Sequence, residues 1–325
     1  MASEVSDPPG RGSGEAGVHH SEADRENANI TPREVSNREA FEMVEFIVLL
    51  ALYLVIGTGI VIIVHRAKQS QEEYFIGGRR IGGTVSALTY AATTYSAFMM
   101  VGLVGLAFKT GVGALIFELC YLVSTVVLLS IYGRKIWEKG RAQGLVSPME
   151  LFSERFGPTT RTIGTLIAMI ALIPYSATQM IGLALIFQNY SGFSFVLGAS
   201  FAAVIIAVWA ILGGLRGVAL TDAIQGVFML VVAVVGVVWV GNRFKGFELS
   251  TFPNTFWTPA LFINLTLPWI FFALTNPQVV QRLFIPRDRK AFNRMVVYFS
   301  VFGLIYTLIV TLVGFSARFG MEQGI

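Results

Sequence analysis

The chain has 325 residues and a formal net charge of +4, with 54% hydrophobic residues and only 14% charged, where an average soluble domain has about 25% charged. That balance excludes a soluble globular protein. The basic residues sit in short loops between apolar runs, which is the pattern of membrane orientation and excludes a nucleic-acid-binding surface.

Residues 1–41 are polar, rich in Gly, Ser, Glu and Arg, and have no apolar stretch of the kind a signal peptide carries. They are expected to form a disordered tail. The uncharged run Phe46 to Val64 is long enough to cross a hydrocarbon core. Eight spanning segments are expected, at about 42–65, 83–108, 112–133, 162–188, 194–214, 218–240, 259–283 and 295–317. Most of the 24 Lys and Arg fall in the loops after segments one, three, five and seven. The expected N-terminus is therefore outside, in a multi-pass protein of the cell membrane.

Segment two holds the run Tyr90-Ala-Ala-Thr-Thr-Tyr-Ser-Ala-Phe98. Weak helix formers at its centre mark a candidate broken helix, whose freed carbonyls and hydroxyls suit a cation. A small-residue packing face between helices explains the same composition. Segment three carries Glu118, an intramembrane carboxylate, which is functional by default or lies shallow near the outer surface. Cys120 on the same segment is the only cysteine, so no intrachain disulfide forms, and a small packed side chain is its expected role.

Between segments five and six, Gly213 and Gly214 predict a sharp turn. Thr221 after it suits a helix cap with Asp222 in the first turn. Alternatively, Asp222 and Gln225 receive a cation near the membrane edge. Segment seven is punctuated by Asn264, Thr266, Pro268, Thr275, Asn276 and Pro277. These residues describe either a kinked structural helix or a second interruption that pairs with the first to hold a site. Segments two and seven are five segments apart, which suggests two five-helix repeats of opposite orientation with the site between them. Arg282, Arg287, Arg289 and Lys290 read as a basic loop that serves orientation and lipid contact. His19, His20 and His65 make no metal-ligand cluster. The sequence contains no phosphate-binding loop, nucleophile triad or acid/base carboxylate pair, so it does not read as an enzyme.

Taken together, the motifs resemble the sodium:solute symporter family, whose members include sodium/proline and sodium/pantothenate permeases. Tyr74-Phe-Ile-Gly-Gly-Arg-Arg-Ile-Gly-Gly83 resembles the approach to the family's broken helix, and Ala91 to Phe98 resembles the break. Gly213-Gly214 followed by Thr221-Asp222 and Gln225 resembles the family signature. Asn276-Pro277 through Arg282 resembles the end of a second broken helix. The resemblance runs from about residue 45 to 317.

The resemblance implies an all-α polytopic membrane protein with one extra N-terminal helix at 42–65. A first five-helix repeat then spans 83–240, and two helices of an incomplete second repeat occupy 259–325. It implies sodium-coupled solute transport by alternating access. Sodium ligands implied are the backbone carbonyls of Ala92 and Tyr95 with the nearby hydroxyl residues Thr94 and Ser96. Thr94 stands where proline permeases have an aspartate, which argues against a proline carrier. Asp222 matches an aspartate linked to sodium exit. Phe98, Tyr175 and Trp269 match aromatic positions of the solute pocket, with Gln179 one turn beyond Tyr175. Ala273 replaces a further aromatic, so the pocket is altered. The expected partners are the lipid bilayer and a small organic solute, for example a carboxylate such as pantothenate or an amino acid; no nucleic acid is expected. Family members usually carry further helices after segment eight, so the chain reads as a truncated symporter whose partner is a missing C-terminal half. A membrane sensor, a non-transporting subunit or an inactive fragment is the alternative.

Overall fold

The computed structural model describes residues 32–65, 70–96, 98–244, 246–247 and 249–322; most of the expected tail lies outside them. Among the described residues the protein is all helical, with no strand. The first helix, α1, is Pro32–His65. It therefore begins ten residues before the expected start, within what was read as tail. Its apolar part, Ala40–His65, is largely exposed, as a helix facing lipid requires.

A short helix α2 (Gln71–Ile76) opens with a capping box between Ser70 and Glu73. Helix α3 (Gly83–Thr94) follows, and after a break the chain resumes as a wide turn at Phe98–Leu103 and α4 (Val104–Thr110). The two halves are bent by 63°. Next come α5 (Val112–Leu128), α6 (Arg134–Ala142), α7 (Glu150–Phe156) and α8 (Pro158–Ser191). Helix α9 is Phe195–Phe244, and α10 (Pro259–Ile270), α11 (Phe272–Thr275) and α12 (Pro277–Gln281) form one interrupted span. The last is α13, Arg289–Glu322. Six stretches are long and apolar enough to cross a membrane, or seven with the bent α3–α4 pair.

Helix α9 is two helices. At 1.5 Å per residue its 50 residues would run about 75 Å, far more than a bilayer core of about 30 Å. Gly214 adopts φ 53° and ψ −163°, a conformation open only to glycine. The chain reverses there, as Tyr53 of α1 shows. Its ring lies 5.4 Å from Trp209, and its hydroxyl accepts a 2.7 Å bond from Gln225 Nε2. In a straight helix residues 209 and 225 would stand about 24 Å apart. His65 Nδ1 meets Leu212 O at 3.1 Å, so the end of α1 packs beside the turn. With this hairpin the eight expected segments are all present.

The core is built where α13 crosses α3. Tyr95 stacks on Phe299 at 5.6 Å and on Phe302 at 6.2 Å, and Tyr90 meets Phe299 edge-on at 4.7 Å. Gly303 makes this possible, because a Cβ there would lie 2.2 Å from the Tyr95 hydroxyl. The loops flanking α3 and α12 are tied together: Arg287 N donates to Ile81 O at 3.0 Å, and Ile81 N to Ile285 O at 3.4 Å.

Candidate functional site

Helix α3 ends because Thr93, Thr94, Tyr95 and Ser96 are weak helix formers. Tyr95 N still donates to Ala91 O at 2.7 Å, but Tyr95 itself leaves the helix at φ −95°, ψ 67°. Met99 N donates to Ser96 O at 3.0 Å and starts the next turn. The second interruption is built differently. Thr275 Oγ1 returns a bond to Phe271 O, and Asn276 turns extended with its side chain accepting from Gln278 N and Val279 N. The first free N–H groups of α12, just after Pro277, are thereby capped. Pro268, in contrast, sits inside α10 without ending it.

The break in α3 opens on a cavity of about 630 Å³. Thr94, Tyr95 and Ser96 line it from the break, Glu118 and Tyr121 from α5, Tyr175 and Gln179 from α8, and Trp269 from α10. Gln179 Nε2 donates to Ser96 Oγ at 3.3 Å across the cavity. Trp269 packs on Tyr121 at 5.6 Å and stacks on Phe272 at 4.9 Å. The structure thus brings together Thr94, Tyr95, Ser96, Tyr175, Gln179 and Trp269, drawn from segments that the sequence separates. Ala92 stands one turn before the break, in α3, and is not a lining residue. Ala273 is fully buried and does not line the cavity either. The Phe98 side chain lies outside the described residues.

Four expectations are corrected. Thr221 does not cap a helix: it lies inside α9 after the Gly214 turn, and its hydroxyl donates back to Gly217 O and Val218 O at 3.2 and 2.9 Å. Asp222 therefore is not a first-turn residue in solvent contact but points into the protein, where Thr89 Oγ1 donates to it at 2.6 Å. Arg282 is not part of an exposed basic loop. It is 7% exposed, its Nη2 lies 3.5 Å from Asp222 Oδ2, and its Nε donates to Thr93 Oγ1 at 3.1 Å. Glu118 does not lie shallow at a surface: it is 3% exposed, with Oε1 lacking a hydrogen-bond partner among the described residues.

Asp222 is outside the cavity, on α9, but is bonded to the helix that carries the break. Thr89, which it grips, precedes the break at Tyr95 by six residues, about 9 Å along α3. Sequence reasoning missed Tyr121 as a lining residue and the Arg282–Asp222 pair. Tyr121 was legible one turn beyond Glu118 on the face that continues to Leu122 and Thr125, all buried. The pair joins residues 60 apart and leaves no periodic trace.

The sequence model of the sodium:solute symporter family matches residues 74–321. The chain belongs to the sodium:solute symporter family. The matched stretch begins after α1 and reaches through α13. The chain is 28% identical over 269 residues to the sodium/pantothenate symporter of Escherichia coli (strain K12), covering 82% of this chain and 53% of that protein. It is 26% identical to the sodium-coupled monocarboxylate transporter 2 of Homo sapiens, covering 85% of this chain and 46% of that protein. The chain thus spans about half the length of the curated relatives it matches. The solved structure of a Na+-coupled sialic acid symporter, in a substrate-bound outward-open state, superposes with a TM-score of 0.76 at 20% identity. It covers 85% of this chain and 62% of that one, and shows a shared fold. This symporter-family member is a multi-span membrane protein, and the relatives it matches are transporters rather than enzymes.

Proposed function

We propose that this protein is a sodium-coupled secondary transporter of a small organic solute, working by alternating access in the cell membrane with its N-terminus outside. The observation that carries the reading is the helix break at Tyr95–Ser96, which opens on the cavity that also receives Tyr175, Gln179 and Trp269, in a chain of this family. In the proposal sodium sits at the break, held by the carbonyls of Ala92 and Tyr95 and the hydroxyls of Thr94 and Ser96. Phe98, Tyr175, Gln179 and Trp269 hold the solute. Asp222 lies on the route by which sodium leaves, and the Arg282 pair holds that route shut. A broken helix suits this work because its freed backbone groups need a partner that a cation supplies. The relatives named for pantothenate and for monocarboxylates make a small organic acid or amino acid the class to try first.

As a second reading, the same cavity binds its ligand without driving uptake, as a membrane sensor or non-transporting subunit would.

Both readings require that sodium alters the cavity. A single cysteine at Thr178, which lines it, in a Cys120→Ser background reports this through its labelling rate with a membrane-impermeant thiol reagent. Replacing potassium by sodium is expected to change that rate several-fold, and Thr94→Val or Ser96→Ala to abolish the difference. Equal rates in the two salts refute sodium coupling at this site. Sodium-driven solute accumulation by vesicles holding only this chain separates transporter from subunit.

A further inference from the structure

Glu118 is the one carboxylate that lines the cavity among the described residues, and the proposed sodium site does not employ it. It projects from the middle of α5, a membrane span, and lines the cavity together with Tyr95, Tyr121 and Trp269. No Lys, Arg, His or Asp lines the cavity among the described residues, so no protein cation faces it there. Its Oε1 has no hydrogen-bond partner among the described residues, although the residue is 3% exposed. A buried carboxylate without a partner is unfavourable until a donor reaches it, and a cationic donor favours the ionised form most. The surrounding rings add to the same preference. Tyr121 meets Trp269 edge-on at 5.6 Å and Tyr95 edge-on at 6.4 Å, and aromatic faces attract organic cations. Beside an ionised Glu118, a bare carboxylate solute would place a second anion in a poorly solvated space, whereas an ammonium would balance the charge.

We propose that Glu118 is the recognition site for an ammonium group on the solute, so that the transported class is a small amine or amino-acid zwitterion rather than a simple organic anion. The ammonium donates to Oε1 of Glu118 against the rings of Tyr121 and Trp269. The neutral polar groups of Ser96 and Gln179, which also line the cavity, serve the remainder of the solute. This would distinguish the chain from its relatives named for pantothenate and monocarboxylates. The inference rests on the reading of the cavity as the solute pocket.

The test is equilibrium binding to the full chain in lipid nanodiscs, read as the concentration dependence of its thermal-unfolding midpoint. Four probes are matched in size or chemistry: propylamine, β-alanine, propionate and galactose. Propylamine and β-alanine are expected to saturate at concentrations at least tenfold below propionate. Glu118→Gln is expected to remove that preference, weakening propylamine and β-alanine while propionate binds as well as before or better. Binding of propionate as tight as β-alanine, an unchanged preference in Glu118→Gln, or saturation by no probe overturns the proposal. Galactose as the sole Glu118-dependent binder assigns the donor to a hydroxyl and overturns the ammonium. A second readout needs no variant: dicyclohexylcarbodiimide labelling of Glu118, followed by peptide mass spectrometry, is expected to slow several-fold with β-alanine and not with propionate. Equal slowing overturns the proposal. Each titration is run in sodium and in potassium. An ammonium preference that is identical in both salts refutes sodium coupling and leaves the Glu118 assignment standing.

Discussion

The Arg282 guanidinium lies 3.5 Å from the Asp222 carboxylate, with both side chains at most 15% exposed. The contact ties the end of the second interrupted span to the helix after the Gly214 turn. Thr89 and Thr93 bring α3 into the same network, through bonds of 2.6 and 3.1 Å. Three elements are thus joined around one buried ion pair, about 9 Å along α3 from the break.

Breaking a buried pair by removing one partner strands a charge, whereas removing both does not. Arg282→Met is therefore expected to destabilise the protein by about 3–5 kcal/mol. Asp222→Asn should cost less, because the amide still accepts from Thr89. The double variant is expected to cost clearly less than the sum of the two. Detergent-denaturant unfolding of the four proteins closes this cycle. Additive costs would mean that the pair carries no coupling and does not hold these elements together.

The turn at Gly214 gives a sharper contrast. A side chain at φ 53°, ψ −163° is strained whatever space surrounds it, so Gly214→Ala is expected to cost about 1–3 kcal/mol. Three residues on, Gly217 lies in the helix, and a Cβ there meets nothing within 4 Å. Gly217→Ala is expected to be neutral or to stabilise by up to about 1 kcal/mol. Unfolding midpoints of the two variants check this, and equal effects would show that the reversal does not depend on Gly214.

Sequence patterning made the spans legible because each must be apolar over a membrane thickness, and it made both interruptions legible because Thr-Thr-Tyr-Ser and Asn-Pro are poor helix. The Gly213-Gly214 turn was legible for the same local reason. What stayed hidden depended on which face each helix turns inward. Arg282 reads as one more basic loop residue until Asp222 is seen beside it. Thr221 reads as a cap because local signals place a helix start after two glycines, whereas the helix already runs from the turn and leaves Thr221 to bond back to Gly217 O. Glu118 reads either as a functional group or as a shallow one, and only helix packing shows it buried against the cavity. A membrane helix is apolar on every side, so periodicity does not mark its inner face as it does in a soluble protein.

Gly303 offers a way to perturb the break without substituting a proposed ligand. A Cβ at this position would lie 2.2 Å from the Tyr95 hydroxyl, 3.1 Å from its Cζ and 2.7 Å from Leu122 Cδ1. Tyr95 is fully buried between Phe299, Phe302 and Tyr306, so the ring has little room to yield. Gly303→Ala is expected to overpack this contact at a cost of about 1–3 kcal/mol. Because Tyr95 is also the residue at which α3 leaves the helix, the strain falls on the proposed sodium site. Sodium-dependent labelling of the Thr178→Cys reporter is expected to need several-fold more sodium in Gly303→Ala. Shortening the clashing ring in Gly303→Ala/Tyr95→Leu should recover most of the lost stability. A Gly303→Ala protein as stable as the parent, with an unchanged sodium response, would show that α13 does not hold Tyr95 in place.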